Sequence, residues 1–150
     1  MESERIPEFM VEAKTKAYAS GNAYSDGNGG SKEFMFTSGN LKYTDRYVGS
    51  IFFAGQETLF ESNIPVWSMV YYGGMLDDSC EPDEVYNFLR TALRNIPLDL
   101  PLRGSKYFHS NKFVYKNEAE GDLSHFIGYE SIENTEDIIY ELHYSGGSIE

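Results

Sequence analysis

The chain holds one cysteine, Cys80, in 150 residues. That excludes an intramolecular disulfide and a zinc site built on paired thiolates. Basic residues are scarce as well: twelve Lys plus Arg face twenty-four Asp plus Glu, for a formal charge of -12. A field of that sign repels phosphate backbones and anionic membrane surfaces, which argues against direct nucleic-acid binding. No apolar run approaches the roughly 20 residues that span a bilayer. Met1–Arg5 is polar and no apolar stretch of the secretory kind follows it, so a cytoplasmic protein is expected. Catalytic signatures are missing too. There is no G-x-S-x-G elbow, and His109, His125 and His143 lack metal-ligand spacing such as H-E-x-x-H. The loop-like stretch Ser20–Ser31 is rich in glycine but lacks the Gly-Lys-Ser/Thr ending of a P-loop. No catalytic residue, metal or cofactor is therefore assigned from the sequence.

What the chain does contain is aromatics (twelve Tyr, ten Phe and Trp67) and an internal echo. Phe53–Gly74 recurs as Phe126–Gly147 at a constant offset of 73. Phe53, Gly55, Glu57, Tyr71, Gly73 and Gly74 meet Phe126, Gly128, Glu130, Tyr144, Gly146 and Gly147, without a gap. The hydrophobic pattern between them matches, as where Trp67 meets Tyr140 and Met69 meets Leu142. This points to an internal duplication, with halves at about 6–74 and 82–147 in a single domain spanning 1–150.

Periodicity supplies the elements. Ile6, Phe9, Met10, Ala13 and Ala17 share one helical face, with Pro7 tolerated in the first turn and Gly21 as a stop. A second helix is predicted over about 82–96, striped by Val85, Phe88, Leu89, Ala92, Leu93 and Ile96. Strands are predicted at about 33–38, 41–53, 56–61 and 65–72, and again at 112–119, 123–133 and 137–145. Ser38-Gly39-Asn40, Ser62-Asn63, Glu120-Gly121 and Asn134 mark turns, and Pro97–Ser105 reads as an irregular connector. Each half is too small to cover a sheet face alone. The fold expected is α+β: one antiparallel β-sheet with two helices packed on it, in two pseudo-symmetric halves.

Strand parity then selects candidate site residues, because side chains two apart share a face. Glu57 lies with Phe53, Gly55 and Leu59, and Glu130 with Phe126, Gly128 and Ile132. The neighbouring strands present Trp67, Met69 and Tyr71, and Tyr140, Leu142 and Tyr144. An earlier strand adds Tyr43, Asp45 and Tyr47. A carboxylate among ring faces suits an aromatic or alkylated cation. Burial would also raise its pKa, as a general acid needs. The candidate ligand-binding set is therefore Glu57 and Glu130 as charge partners, Trp67, Tyr71, Tyr140 and Tyr144 as walls, and Tyr43, Asp45 and Tyr47 behind them. The same F-x-G-x-E segments serve equally as folding devices, with glycine marking a bulge or close approach and glutamate accepting bonds from tyrosines. A bulge there would turn the glutamates outward. Arg103, beside Gly104 and near Lys106, fits either an anion clamp or a salt-bridge hub.

The segments AKTKAYASG (13–21), YTDRYVGSIFFAGQE (43–57), PVWSMVYYGG (65–74), LPLRGSKYF (100–108) and FIGYESI (126–132) resemble an uncharacterised bacterial domain family. Its members occur stand-alone or behind XRE-type helix-turn-helix domains, and this chain resembles the stand-alone kind. The resemblance implies a shared fold and no activity. A second likeness, of architecture alone, is to the GyrI-like ligand-binding module. Together these lead to the expectation of a non-catalytic domain binding a small aromatic or cationic molecule between its halves. Two other classes stay open: an acidic interaction or inhibitor module for a basic protein partner, and a small hydrolase or isomerase using one buried glutamate.

Overall fold

The computed structural model describes residues 5–19 and 22–150. Gly21, the expected helix stop, and most of the Met1–Arg5 segment lie outside the described residues. Helix α1 (Ile6–Ala17) opens with Pro7 in its first turn and buries Ile6, Phe9, Met10, Ala13 and Ala17. A two-residue strand, β1 (Ser25–Asp26), and a short 3-10 turn (Asn28–Gly30) lead into four long strands. These are β2 (Lys32–Ser38), β3 (Leu41–Gly49), β4 (Phe52–Glu61) and β5 (Ile64–Met75). Helix α2 (Pro82–Leu93) follows, with Pro82, Asp83 and Glu84 in its first turn, where acidic groups face the positive end of the helix dipole. After the connector come β6 (Tyr107–Ser110), β7 (Phe113–Asp122), β8 (His125–Asn134) and β9 (Asp137–Ser148).

All nine strands form one antiparallel sheet in the order β1-β2-β3-β4-β5-β9-β8-β7-β6. Each half is a meander of adjacent hairpins, and the ladder that joins the two meanders is the pairing of β5 with β9. Odd positions of β3, β4 and β5 and even positions of β8 and β9 face the helices and carry the core, including Tyr43, Leu59, Trp67, Met69, Ile132, Tyr140 and Leu142. The opposite face is open and presents Phe52, Val70, Tyr72 and Ile127.

Both halves turn alike. Ser62-Asn63 and Thr135-Glu136 all hold positive φ, the two-residue hairpin geometry whose twist matches that of the strands. Both halves are irregular at matching places, between Leu59 and Phe60 in β4 and between Ile132 and Glu133 in β8. These bulges fall after Glu57 and Glu130, so the parity of both glutamates is kept and both point inward.

The second helix ends at Leu93, short of Ile96, and two expected breaks between strands shift. The predicted break near Ala54-Gly55 lies instead at Ser50-Ile51, after Gly49 with its φ of 99°. The predicted turn at Glu120-Gly121 lies at Leu123-Ser124, because Gly121 takes the same φ while remaining in β7. In the sequence Gly121 looks like a turn residue, but here it lies within a paired strand. Strand β6 was not anticipated, nor was β1.

Gly55 and Gly128 are not bulges but points of close approach. Each is paired with a tyrosine on the next strand, Tyr71 and Tyr144, and a Cβ at either position would collide with that ring. Gly55→Ala is expected to displace the Tyr71 ring and cost about 1–3 kcal/mol, the usual range for overpacking. Urea denaturation checks this, and an unchanged midpoint would show that the ring has room to move.

Candidate functional site

Five ionisable side chains meet beneath the helices: Asp45, Glu57 and Glu130 are turned inward by strand parity, Lys14 comes from α1 and Arg103 from the connector after α2. Lys14 and Glu57 are 0% exposed, as is Glu130, while Arg103 and Asp45 are each 4% exposed. Lys14 sits within the apolar stripe of α1, so its ammonium is carried to the sheet, where Nζ lies 2.9 Å from Glu57 Oε1. It also donates to the Leu102 carbonyl at 2.6 Å and lies 5.5 Å from the centre of the Trp67 ring. Burial lowers the Lys14 pKa, and Glu57 opposes that shift. Glu57 Oε2 and the Tyr43 hydroxyl have no hydrogen-bond partner among the described residues.

Arg103 grips Glu130 with two parallel bonds, Nε to Oε2 at 3.0 Å and Nη2 to Oε1 at 2.8 Å. Tyr115 and Tyr140 also donate to Glu130, at 2.6 and 2.8 Å. Burial would lower the Arg103 pKa, but the Glu130 carboxylate outweighs it and holds the guanidinium charged. Of the two roles the sequence left open for Arg103, the salt-bridge hub is the one in place. Its guanidinium also lies 5.8 Å from the Tyr71 ring centre, within cation–π range.

Two cations against three carboxylates leave one carboxylate over, and that one is Asp45. It accepts hydrogen bonds from Tyr24 at 2.5 Å and Tyr71 at 2.6 Å but has no ion pair among the described residues. Burial first, and the Glu57 charge next, raise its pKa to about 7, against the pull of the two hydroxyls and Arg103. The corresponding position of the second half is Asn117. Asp45 pairs across the sheet with Glu57, and Asn117 with Glu130. Asn117 likewise accepts from Tyr144, at 2.6 Å, but it is neutral and its amide donates to the Gly104 carbonyl at 2.9 Å.

Asp45 lies on the wall of a cavity of about 380 Å³. The end of α1 contributes Ala17 and Tyr18, the sheet contributes Lys32, Tyr47, Phe53 and Tyr71, and α2 contributes Asp83, Tyr86, Leu89, Arg90 and Leu93. Tyr24 and Arg103 close it. The rings meet edge-on, Tyr24 with Tyr47 at 5.6 Å, Tyr47 with Phe53 at 6.1 Å, and Phe53 with both Tyr71 and Tyr86 at 6.1 Å. Tyr86 donates to the Ile51 carbonyl at 2.9 Å and so pins α2 to the β3–β4 turn at the cavity edge.

Of the residues singled out from sequence, Asp45, Tyr47 and Tyr71 come together on this wall. The others are placed differently. Glu57 and Glu130 do not line the cavity and are each neutralised by a buried cation, because a bare carboxylate in that core would be prohibitively costly. Trp67 is 0% exposed, stacks on Phe126 and donates to the Leu123 carbonyl at 2.9 Å. Tyr43, Tyr140 and Tyr144 are core residues. Sequence reasoning missed Tyr24, Tyr86, Arg90 and the role of Lys14. Only Lys14 carried a signal, a lysine four residues after Met10 and three before Ala17 on an apolar stripe. Glu141 and His143 share the open face, 3.9 Å apart, and no cluster able to hold a metal ion occurs among the described residues.

Residues 45–149 match the family model described as "Domain of unknown function (DUF5680)", more than half of the chain. The chain belongs to that family. The DUF5680 match begins at Asp45 itself and takes in Tyr71, Arg103 and Glu130, while Lys14, Tyr24 and Lys32 precede it. No curated protein and no solved structure matches the chain. No helix among the described residues is long and apolar enough to cross a membrane.

Removing one member of a buried pair strands the other. Lys14→Met is expected to cost about 3–5 kcal/mol, and Lys14→Met with Glu57→Leu to recover most of it. Urea denaturation of both variants checks this, and equal losses would show that the pair stabilises as a pair. Asp45 has a raised folded-state pKa, so its protonated form favours folding. Its contribution is complete below the ordinary aspartate pKa of about 4 and is lost as pH rises toward about 7. Wild-type stability should therefore fall relative to Asp45→Asn across that window and run parallel to it above. A difference between the two proteins that does not vary with pH would refute this account.

Proposed function

We propose that this domain binds a small aromatic cation, without chemistry of its own, in the cavity between the first-half sheet and α2. The observation that carries the reading is the unmatched Asp45 carboxylate on an aromatic wall. A buried charge without a counter-ion is unfavourable, and an ammonium ligand would supply the missing charge. The surrounding ring faces would add cation–π attraction. The volume falls within the roughly 300–1,000 Å³ typical of small-molecule sites. In this reading Glu57 and Glu130 do not touch the ligand: Arg103, held by Glu130, backs Tyr71, and the Glu57 charge acts on Asp45 through space.

The wall draws on both halves, in keeping with the duplication we infer. The inference is supported by the matched bulges, the matched left-handed turns and the Asp45–Asn117 correspondence. On this view one half kept a neutral amide satisfied within the protein, and the other exchanged it for a charge.

A second reading, proton transfer, draws support from the same residue. Asp45 sits near neutrality in a cavity with two hydroxyls in hydrogen-bond reach, and general acid–base catalysis works best near the operating pH. A cation-binding site and an acid–base site differ in what the Asp45→Asn variant loses, affinity in the first case and turnover in the second.

Calorimetry with benzylamine and its neutral isostere benzyl alcohol tests the proposal. Benzylamine alone should bind, and Asp45→Asn should weaken it by about tenfold or more. Because a cation favours ionised Asp45, affinity should rise up to about tenfold per pH unit toward about pH 7 and level off above it. Equal binding of amine and alcohol, or indifference to Asp45→Asn, would sink the reading.

A further inference from the structure

The charge balance of the cavity differs from that of the chain. Acidic residues outnumber basic ones two to one overall, yet the wall carries Lys32, Arg90 and Arg103 against Asp45 and Asp83. Arg103 is committed to Glu130. The other two cations are available. Arg90 forms no ion pair among the described residues, and its one hydrogen-bond partner is the Asn87 amide within α2. Lys32 pairs only with Asp26, which is 84% exposed, and a pair in that setting holds weakly against competitors.

Lys32, Arg90 and Tyr47 line the same cavity. Lys32 lies directly across the β2–β3 ladder from Tyr47, and both cations oppose the Asp45 charge in acting on the Tyr47 hydroxyl, which has no hydrogen-bond partner among the described residues. Tyr47 stands two residues along β3 from Asp45, on the same face. At the strand rise of about 3.3–3.4 Å per residue, the two positions are roughly 6.5–7 Å apart. That separation is close to the span of a benzene ring with one substituent atom at each end.

We propose that the ligand is amphoteric: an aromatic ring carrying an ammonium that meets Asp45 and, at its far end, a carboxylate received by Lys32, Arg90 and the Tyr47 hydroxyl. The inference rests on the cation-binding reading of the same cavity. Lys32 and Arg90 form the anion subsite, with Tyr47 donating between them. Charge-assisted bonds of this kind are stronger than neutral ones, and placing one at each end fixes the orientation of the ring. Asp83, at the α2 end of the wall, sets a boundary, since a second anion beside it would be repelled.

The test compares para-(aminomethyl)benzoate with para-methylbenzylamine and para-methylbenzoate, by calorimetry at about pH 8 where Asp45 is ionised. The amphoteric probe is expected to bind about tenfold more tightly than the plain amine, the value of one added charge-assisted contact. Lys32→Gln with Arg90→Gln should abolish that gain without weakening the plain amine, since both cations repel an ammonium and their loss can only favour it. Tyr47→Phe, which keeps the ring packing, should remove part of the same gain. Equal binding of the two amines, or a gain that survives the double substitution, overturns the anion subsite and leaves cation binding standing. Tight binding of para-methylbenzoate alone overturns the amphoteric ligand. Failure of both amines to bind overturns this inference together with the reading beneath it.

Discussion

Neutralising charge beneath an apolar face is the constraint from which the rest of this structure follows. A lone carboxylate or ammonium in such a core is unfavourable by several kcal/mol even after relaxation. Lys14 and Arg103 therefore have to arrive from outside the sheet, the first on α1 and the second on the connector after α2. Their partners lie on β4 and β8. Each pair so joins a peripheral segment to the sheet. The Lys14 bond to the Leu102 carbonyl and the Arg103 bond to the Tyr18 hydroxyl at 3.4 Å then cross-link α1 with the connector. The outline of the cavity is what remains between segments fixed in this way.

The site arises from a small asymmetry between equivalent positions. Asn117 and Asp45 accept the same kind of tyrosine bond and face the same kind of glutamate. The amide can also donate, and it closes on the Gly104 carbonyl. The carboxylate can only accept while ionised, so it uses two tyrosine donors and still carries a charge. The second-half position is fully satisfied within the protein, and the first-half position keeps a carboxylate with no ion pair among the described residues. Tyr71 links the two, bonded to Asp45 and stacked beneath an arginine that the second half holds in place.

The architecture was legible in the sequence because it rests on periods that sequence displays. The helical stripes, the alternation within the strands and the offset of 73 pointed to two helices on one antiparallel sheet. The inward direction of Glu57 and Glu130 was legible for the same reason. What they meet inside was not, since a partner such as Arg103 sits in an irregular connector that no period describes. Asp45 was visible only as one member of a Tyr-Asp-Tyr strand, and Tyr24, Tyr86 and Arg90 carried no mark at all. Their roles depend on distances between segments far apart in the chain. Gly121 misled a strand boundary because glycine signals a turn and a kinked strand with the same residue.

The β5–β9 ladder also bears on how the chain reaches this state. Every other long-strand pairing joins neighbours through a tight turn, but Trp67 pairs with Ser148, 81 positions on. Local hairpins close in microseconds, whereas contacts of large sequence separation lose loop entropy before they gain anything. The two meanders can thus form early and independently, and docking along the seam completes the sheet late. The cavity needs α2 and Arg103 laid against the first-half strands, so it exists only after that docking. The wall that α2 and Arg103 supply beside Asp45 is thus the last part of the cavity to be put in place.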